Sequence, residues 1–347
     1  MKVTIGLDVG DRYTHMAMVD DAGELVEEGR IRTTSEAVIR RFRGMPATRI
    51  ALEVGPHSPW LSRLLEGLGH EVLVANSRKL RFIYDSDNKS DRLDAEALAR
   101  VARLDPKLLR PIRHRSEDTQ QDLAIIRSRE VVVAARTALI NHTRGSVKAM
   151  GVRLPRCSAP TFARKMMPHI PEGLRPALSP VLETIRELST RIRTYDREIE
   201  RLCEEVYPET ALLRQISGVG PLTALSYMLV LEDPLRFPRS RAVGPYLGLR
   251  PRHAGSGEED PQLRICKTGD KLLRKLLVQS AHYIIGPFGP DTDLRRWGLK
   301  LCARGGKNAK KRAAVAVARK LAVLLHRLWV TGMVYEPLRD QEVEAVA

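Results

Sequence analysis

Paired cysteines are missing from this chain of 347 residues. Its four cysteines, at 157, 203, 266 and 302, share no short spacing, so neither a zinc site nor a disulfide framework is indicated. Free thiols of this kind fit a reducing cytoplasm. Long apolar runs are missing too. Ala313–Trp329 is rich in apolar residues, but Arg319, Lys320, His326 and Arg327 interrupt it, so it reads as a buried or interface helix rather than a membrane span. No secretory leader is expected, because Lys2 leads directly into a strand that ends in an acid. The last absence is local. From Arg295 to Tyr335 there is no Asp or Glu, against eleven Lys or Arg.

That local bias sits on a global one. The chain carries 58 Lys+Arg and 42 Asp+Glu, a formal net charge of +16, with a pI near 10.0. Such a balance attracts polyanions and says nothing about fold. A short basic run is most often a solvated face. The absence of any acid around Arg304-Gly-Gly-Lys307-Asn-Ala-Lys310-Lys311-Arg312 favours phosphate contacts instead.

Four acids stand in unusual places. Asp8 ends the apolar run Val3-Thr-Ile-Gly-Leu-Asp8-Val-Gly, and Glu53 ends Ile50-Ala-Leu-Glu53-Val-Gly. Each run reads as a buried strand closing on a glycine, and core packing does not explain an acid there. Asp91 and Asp94, in Lys89-Ser-Asp91-Arg-Leu-Asp94-Ala, are three residues apart and share one face of a helix. Any one of these acids alone is ordinary surface chemistry. Gathered at one sheet edge they repel each other unless a cation lies between them. Hard oxygen donors suit magnesium or manganese, and paired ions of this type serve in-line chemistry at phosphodiesters.

The surrounding elements give the acids a frame. Strands are expected at 2–8, Arg12–Asp20 and Glu24–Ile31, with Asp20-Asp-Ala-Gly23 as a hairpin turn. A helix near Ser35–Arg43, the Glu53 strand, a helix near Trp60–Leu68, a strand at Glu71–Ala75 and a helix from about Ser90 to Arg103 follow. Three meander strands followed by alternating helix and strand resemble the ribonuclease-H-like pattern. The order Asp, Glu, Asp, Asp resembles its Holliday-junction resolvase branch.

The middle of the chain reads as helical. Gln120–Met150 contains no Pro, and its arginines decorate a loose apolar stripe. A Pro-rich connector from Leu154 to Pro180 leads to a second helix over Pro180–Val206. There Leu182, Ile185, Leu188, Ile192, Ile199 and Leu202 recur at coiled-coil spacings. A hairpin within one chain and a contact between subunits explain the stripe equally well.

Two further motifs lie beyond. Leu213–Ala224 reads as helix, tight Gly218-Val-Gly220 turn, helix, and resembles the helix-hairpin-helix motif that grips DNA backbones. Ser256 lies between two glycines in Ala254-Gly-Ser256-Gly, with Arg250, Arg252, His253, Arg264 and Lys267 near it in sequence. Those cations could hold phosphate oxygens. A serine nucleophile needs activation, and Gly-Ser-Gly is common turn chemistry, so the local residues leave the role of Ser256 open.

As an ordered set these motifs go further. Gly6-Leu-Asp8-Val-Gly, Leu52-Glu53-Val-Gly, Ser90-Asp91-x-x-Asp94-Ala, Gly218-Val-Gly220, Gly248-Leu-x-Pro and Ser256-Gly with Ile265-x-Lys267-x-Gly269 resemble the DEDD transposases of bacterial insertion sequences. These are bridge-RNA-guided recombinases related to Piv-type DNA invertases. The likeness runs from residue 2 to about residue 330. Ser90 stands where that family often has Thr, and Gly255 where another Ser is frequent. Neither departure removes a catalytic group.

The resemblance implies an α/β plus α architecture. Residues 1–110 would form a resolvase-like catalytic domain, 111–207 a helical coiled-coil connector, and 208–347 a mostly helical transposase domain. Asp8, Glu53, Asp91 and Asp94 would bind Mg2+ or Mn2+, and Ser256 would form a covalent link to DNA. Gly218, Gly220, Arg250, Arg252, Arg264, Lys267, Lys307, Lys310, Lys311 and Arg312 would meet nucleic acid. Expected partners are double-stranded target and donor DNA, an element-encoded noncoding guide RNA and further copies of the chain, as a tetramer, without a membrane. The expected setting is the bacterial cytoplasm at the nucleoid. Three other readings compete, one of them a non-catalytic RNA- or DNA-binding protein derived from a mobile element, against which the complete acid set and the retained Ser256 argue. A metal-dependent resolvase-like nuclease would leave Ser256 merely structural. A sugar-kinase or actin-like ATPase would use Gly6-Leu-Asp8-Val-Gly as a phosphate loop, but no second Asp-x-Gly phosphate loop stands at the expected later strand.

Overall fold

The computed structural model describes residues 3–76, 90–252 and 263–339. It separates into two compact units, Met1–Ser116 and Glu117–Ala347.

In the first unit five strands form one sheet in the order β3-β2-β1-β4-β5. They are β1 (Thr4–Val9), β2 (Tyr13–Val19), β3 (Leu25–Arg32), β4 (Arg49–Glu53) and β5 (Glu71–Ala75). The first three pair antiparallel, and β4 and β5 add parallel to β1. The expected strands are therefore all present, within a residue or two. The expected Asp20–Gly23 turn is also there. Asp20 Oδ1 accepts from Ala22 N and Glu24 N, and Gly23 takes φ +90, open to glycine at no steric cost. Between the strands lie α1 (Ser35–Phe42) and α2 (Ser58–Gly67), and α3 (Asp91–Leu104) follows β5. Alternation along β1 and β4 divides the core. Ile5, Leu7, Ile50 and Leu52 pack with Val38, Phe42, Leu61 and Leu65. Ala51 and Ala75 pack instead with Leu98, Ala102 and Leu109, on the α3 side.

The second unit is helical among its described residues, apart from one isolated bridge. Helix α4 spans Glu117–Ala149, and a run of short turns including α5 (Phe162–Met166) leads to α6 (Arg175–Arg201). The Pro-rich segment is more structured than its composition implies. Phe162, Met166 and Ile170 are buried in a cluster with Val147, Leu178, Leu182 and Ile185. Helix α6 starts a turn before the expected Pro180, because Pro176 falls in the first turn, where no intrahelical N–H is needed. It ends in a π-helical turn over Leu202–Val206. The apolar stripe of α6 packs against α4 of the same chain, with Arg136 Nη1 donating to Ser189 Oγ across the seam.

The rest of the unit contains α7 (Thr210–Arg214), α8 (Pro221–Leu231), α9 (Val243–Tyr246), α10 (Lys271–Ile285), α11 (Asp293–Ala303) and α12 (Ala309–Thr331). Helix α8 is buried from Thr223 to Leu231, and Tyr227 donates to Ala322 O at 2.6 Å. Ala314, Ala318, Leu321, Ala322, Leu325 and Leu328 form the buried stripe of α12, so the apolar run at 313–329 is a core helix. No described helix is long and apolar enough to cross a membrane.

Candidate active site and nucleic-acid interface

The acids are positioned by small residues. Thr4, Gly6 and Asp8 lie on the face of β1 opposite Ile5 and Leu7. Gly6 pairs with Ala17 on β2 and with Ala51 on β4. A Cβ at Gly6 would stand 1.9 Å from Ala95 O and 2.6 Å from Ala99 N. The backbone of α3 thus rests directly on β1, over a row of Gly and Ala. Two residues further along the same faces come Asp8 on β1 and Glu53 on β4, on adjoining strands. Asp94 immediately precedes Ala95, and Asp91 lies one turn earlier. The close approach therefore brings the first turn of α3 to the strand ends that carry Asp8 and Glu53. Ser90 caps that turn, its hydroxyl accepting from Leu93 N. Acids in a first helical turn are favoured by the helix dipole.

The charge of the site shows in Asp8. Its carboxyl is pushed up to about 6, first by burial and then by the negative charges of Asp91, Asp94 and Glu53. His15 acts in the opposite sense. The β1–β2 register sets His15 opposite Asp8, and its Nε2 lies 3.6 Å from Asp91 Oδ2. His15 did not stand out in the sequence. The short turn at Gly10–Arg12, closed by Gly10 N donating to Tyr13 O, is the signal that implies this pairing.

Among the described residues, no three His, Cys, Asp or Glu side chains stand close enough together to hold an ion between them. The four carboxylates are gathered within electrostatic reach without being closed on one point. The donor set still fits a divalent cation. It is all hard oxygen, and its mutual repulsion is what such a charge relieves.

The loops beyond the two strands are fastened. Trp60 Nε1 donates to His57 Nδ1 at 3.1 Å, which puts the neutral ring's proton on Nε2, 3.2 Å from Asp11 Oδ1. Ser58 Oγ accepts from Gly55 N and lies 2.9 Å from His114 Nε2. The turn after Asp8 and the loop after Glu53 are therefore joined.

Ser256 and His253 fall in 253–262, outside the described residues. The segments on either side of that stretch form a short antiparallel ladder. Pro251 bridges Ile265, Arg252 N donates to Arg264 O, and Cys266 N donates to Arg250 O. Ile265 packs against the core, so pleating turns Arg250, Arg252 and Arg264 to the opposite, exposed face. Lys267 N donates to Gly248 O, and Lys267 takes φ +57. The base of the ladder is closed by two glycines. A Cβ at Gly248, φ +70, would lie 2.1 Å from Thr268 O, and one at Gly269, φ +78, would lie 2.3 Å from Tyr246 O. Only glycine fits either position. Arg274 Nη1 holds the same corner, donating to Leu247 O and Thr268 O.

The glycine turn at Gly218-Val-Gly220 joins α7 to α8, as the sequence implies, although α7 is only five residues long. Gly218 takes φ +95 and packs against Tyr283, while exposed Gly220 caps α8.

The basic tail divides in two. Arg295 donates to Ile284 O, Arg296 pairs with Asp291 at 2.6 Å, and Lys320 sits 4.8 Å over the Trp297 ring. These cations serve the fold. Lys307, Lys310, Lys311 and Arg312 are exposed around the α11–α12 turn. The last three fill the first turn of α12, where cations oppose the helix dipole and an anion would be welcome.

A DEDD transposase family model matches residues 5–151, and a model of the transposase IS116/IS110/IS902 family matches residues 210–293. The chain belongs to this family of transposases. It is thus an enzyme that cleaves and recombines DNA. It is 28% identical to the transposase for insertion sequence element IS1111A of Coxiella burnetii, over 93% of this chain and 88% of that protein. It is 28% identical to a probable family 20 transposase of Pseudomonas aeruginosa, over 96% and 98% of the two chains. A pilin gene-inverting protein of Moraxella lacunata is 30% identical over 41% of this chain and 44% of its own.

Proposed function

We propose that this transposase recombines DNA through two sets of residues. The first is Asp8, Glu53, Asp91 and Asp94 in a ribonuclease-H-like, resolvase-type domain, and the second is Ser256, which lies in sequence between the two segments of the arginine ladder. What supports the reading is the placement of Asp8 and Glu53 on adjoining strands beneath the first turn of α3, with Asp8 raised to about 6 by burial and by the other three acids. A divalent ion, Mg2+ or Mn2+, held by these carboxylates supplies Lewis-acid polarisation of the phosphodiester. The Ser256 hydroxyl attacks phosphorus, its oxygen forms the new ester as one DNA ester bond breaks, and the leaving oxygen takes up a proton. The number of phosphate esters is unchanged, so rejoining needs no external energy source. Arg250, Arg252, Arg264 and Lys267 neutralise the phosphate under attack.

The same reading assigns Gly218 and Gly220, in a helix-hairpin-helix-like element, and Lys307, Lys310, Lys311 and Arg312 to nucleic-acid backbone. Target and donor duplexes are selected by pairing with an element-encoded guide RNA, and the protein reads backbone and shape. Four copies assemble on the two duplexes through the helical span 111–207, in a complex that sits on the nucleoid.

The test is a nicked donor substrate incubated with the protein and resolved on a denaturing gel. The wild type is expected to yield a covalent protein–DNA adduct, and Ser256→Ala and Asp91→Asn none. Free breaks without an adduct, retained in Ser256→Ala, would replace this reading with that of a resolvase-like nuclease using water.

A further inference from the structure

We propose that His15 is a positioning residue of the acid site, holding Asp91 over Asp8 so that the carboxylates are ready for a divalent ion. The proposal rests on the metal-binding reading above and adds a fifth side chain to it. His15 shares the α3 face of the sheet with Asp8, its partner in the β1–β2 register. Its Nε2 lies 3.6 Å from Asp91 Oδ2, within ion-pair reach and just beyond hydrogen-bond distance.

Asp91 needs such a partner. It is the first residue of α3, and its side chain is 70% exposed. Left alone, it would turn to solvent, away from the negative charge of Asp8. An imidazole N–H donated to a ligating carboxylate fixes that carboxylate's orientation, and the loss of such outer partners typically lowers metal affinity by about 10–100-fold.

The experiment is thermal denaturation of the full-length protein against Mn2+ concentration, run beside DNA cleavage at saturating Mn2+. His15→Ala is expected to shift the midpoint of the Mn2+-induced stabilisation at least about 10-fold upward, with cleavage at saturation close to wild type. His15→Gln, which keeps an N–H donor at similar reach, is expected to recover most of the midpoint. In an Asp91→Asn background, His15→Ala should shift the midpoint little further, since the group it positions is gone. An unchanged midpoint in His15→Ala overturns the proposal. So does an unchanged midpoint with lost cleavage, which would make His15 a substrate-contacting residue. A wild type that Mn2+ fails to stabilise overturns the metal reading itself, and this proposal with it.

Discussion

Gly6 on β1 and Ala95 on α3 are in backbone contact, so close that a methyl group on Gly6 would stand 1.9 Å from the Ala95 carbonyl oxygen. The helix cannot shift alone, because Arg100 Nη1 donates to Gly23 O and Arg103 Nη1 to Asp21 O at its other end. Gly6→Ala is therefore expected to push the first turn of α3 away from Asp8. The stability cost should be about 1–3 kcal/mol, as for overpacking elsewhere. Urea denaturation measures that cost, and DNA cleavage should fall further than stability does. A Gly6→Ala protein with wild-type cleavage would show that the close approach is not what sets the acids.

Asp8 gives a prediction with a definite sign. Its folded pKa, about 6, lies above the ordinary 3.8. Well below pH 3.8 the carboxyl is protonated in both states and costs nothing. Between about pH 3.8 and 6 the unfolded chain has lost a proton that the folded protein still holds, so metal-free stability falls across this window and levels off above it. Asp8→Asn is expected to match the wild type near pH 4 and to exceed it above pH 6 without metal. With Mn2+ added above pH 6 the order should reverse, because only the wild type keeps the full donor set. Melting curves at several pH values, with and without Mn2+, check both halves. A wild type whose metal-free stability is flat from pH 4 to pH 7 would contradict the raised pKa.

Asp8 and Glu53 were legible in the sequence because a carboxylate ending an apolar strand conflicts with burial, and the conflict is visible locally. Asp91 and Asp94 were legible from helical spacing. Three other features depend on proximity that spacing does not encode. His15 faces Asp8 only through the register that the Gly10–Arg12 turn imposes. The small row of Gly6, Ala17 and Ala51 draws its meaning from α3, which lies far along the chain. Gly248 and Gly269 close one corner from positions separated by the whole Ser256 segment. The Pro-rich stretch misled for a different reason. Proline predicts broken helices correctly, but Phe162, Met166 and Ile170 still pack inward between the breaks.

The first turn of α12 should separate binding from folding. Lys310, Lys311 and Arg312 are exposed, while Ala309 and Ala313 on either side are buried. Changing all three to Ala is expected to weaken duplex binding with little change in sequence preference. The slope of log affinity against log salt should fall by about 0.9 for each phosphate that is no longer neutralised. Stability should not fall with it. Removing cations from a helix N-terminus is favourable by about 0.3–1 kcal/mol per charge at low salt. Weaker binding with an unchanged salt slope would mean that these residues act through the fold and not on phosphate.

Gly269 tests the other half of the site. Its φ of +78 and the 2.3 Å gap from a built Cβ to Tyr246 O leave no room for a side chain. Gly269→Ala must either strain the backbone, at about 1–3 kcal/mol, or open the corner that Arg274 ties to Leu247 and Thr268. The corner anchors the ladder bearing Arg250, Arg252 and Arg264, so opening it misplaces the cations assigned to the phosphate. The covalent adduct on a nicked substrate is expected to disappear. Mn2+-induced stabilisation should persist, since the acids belong to the other compact unit. Loss of both readouts together would mean that the acids depend on the ladder, and retention of the adduct would mean that the ladder does not serve Ser256.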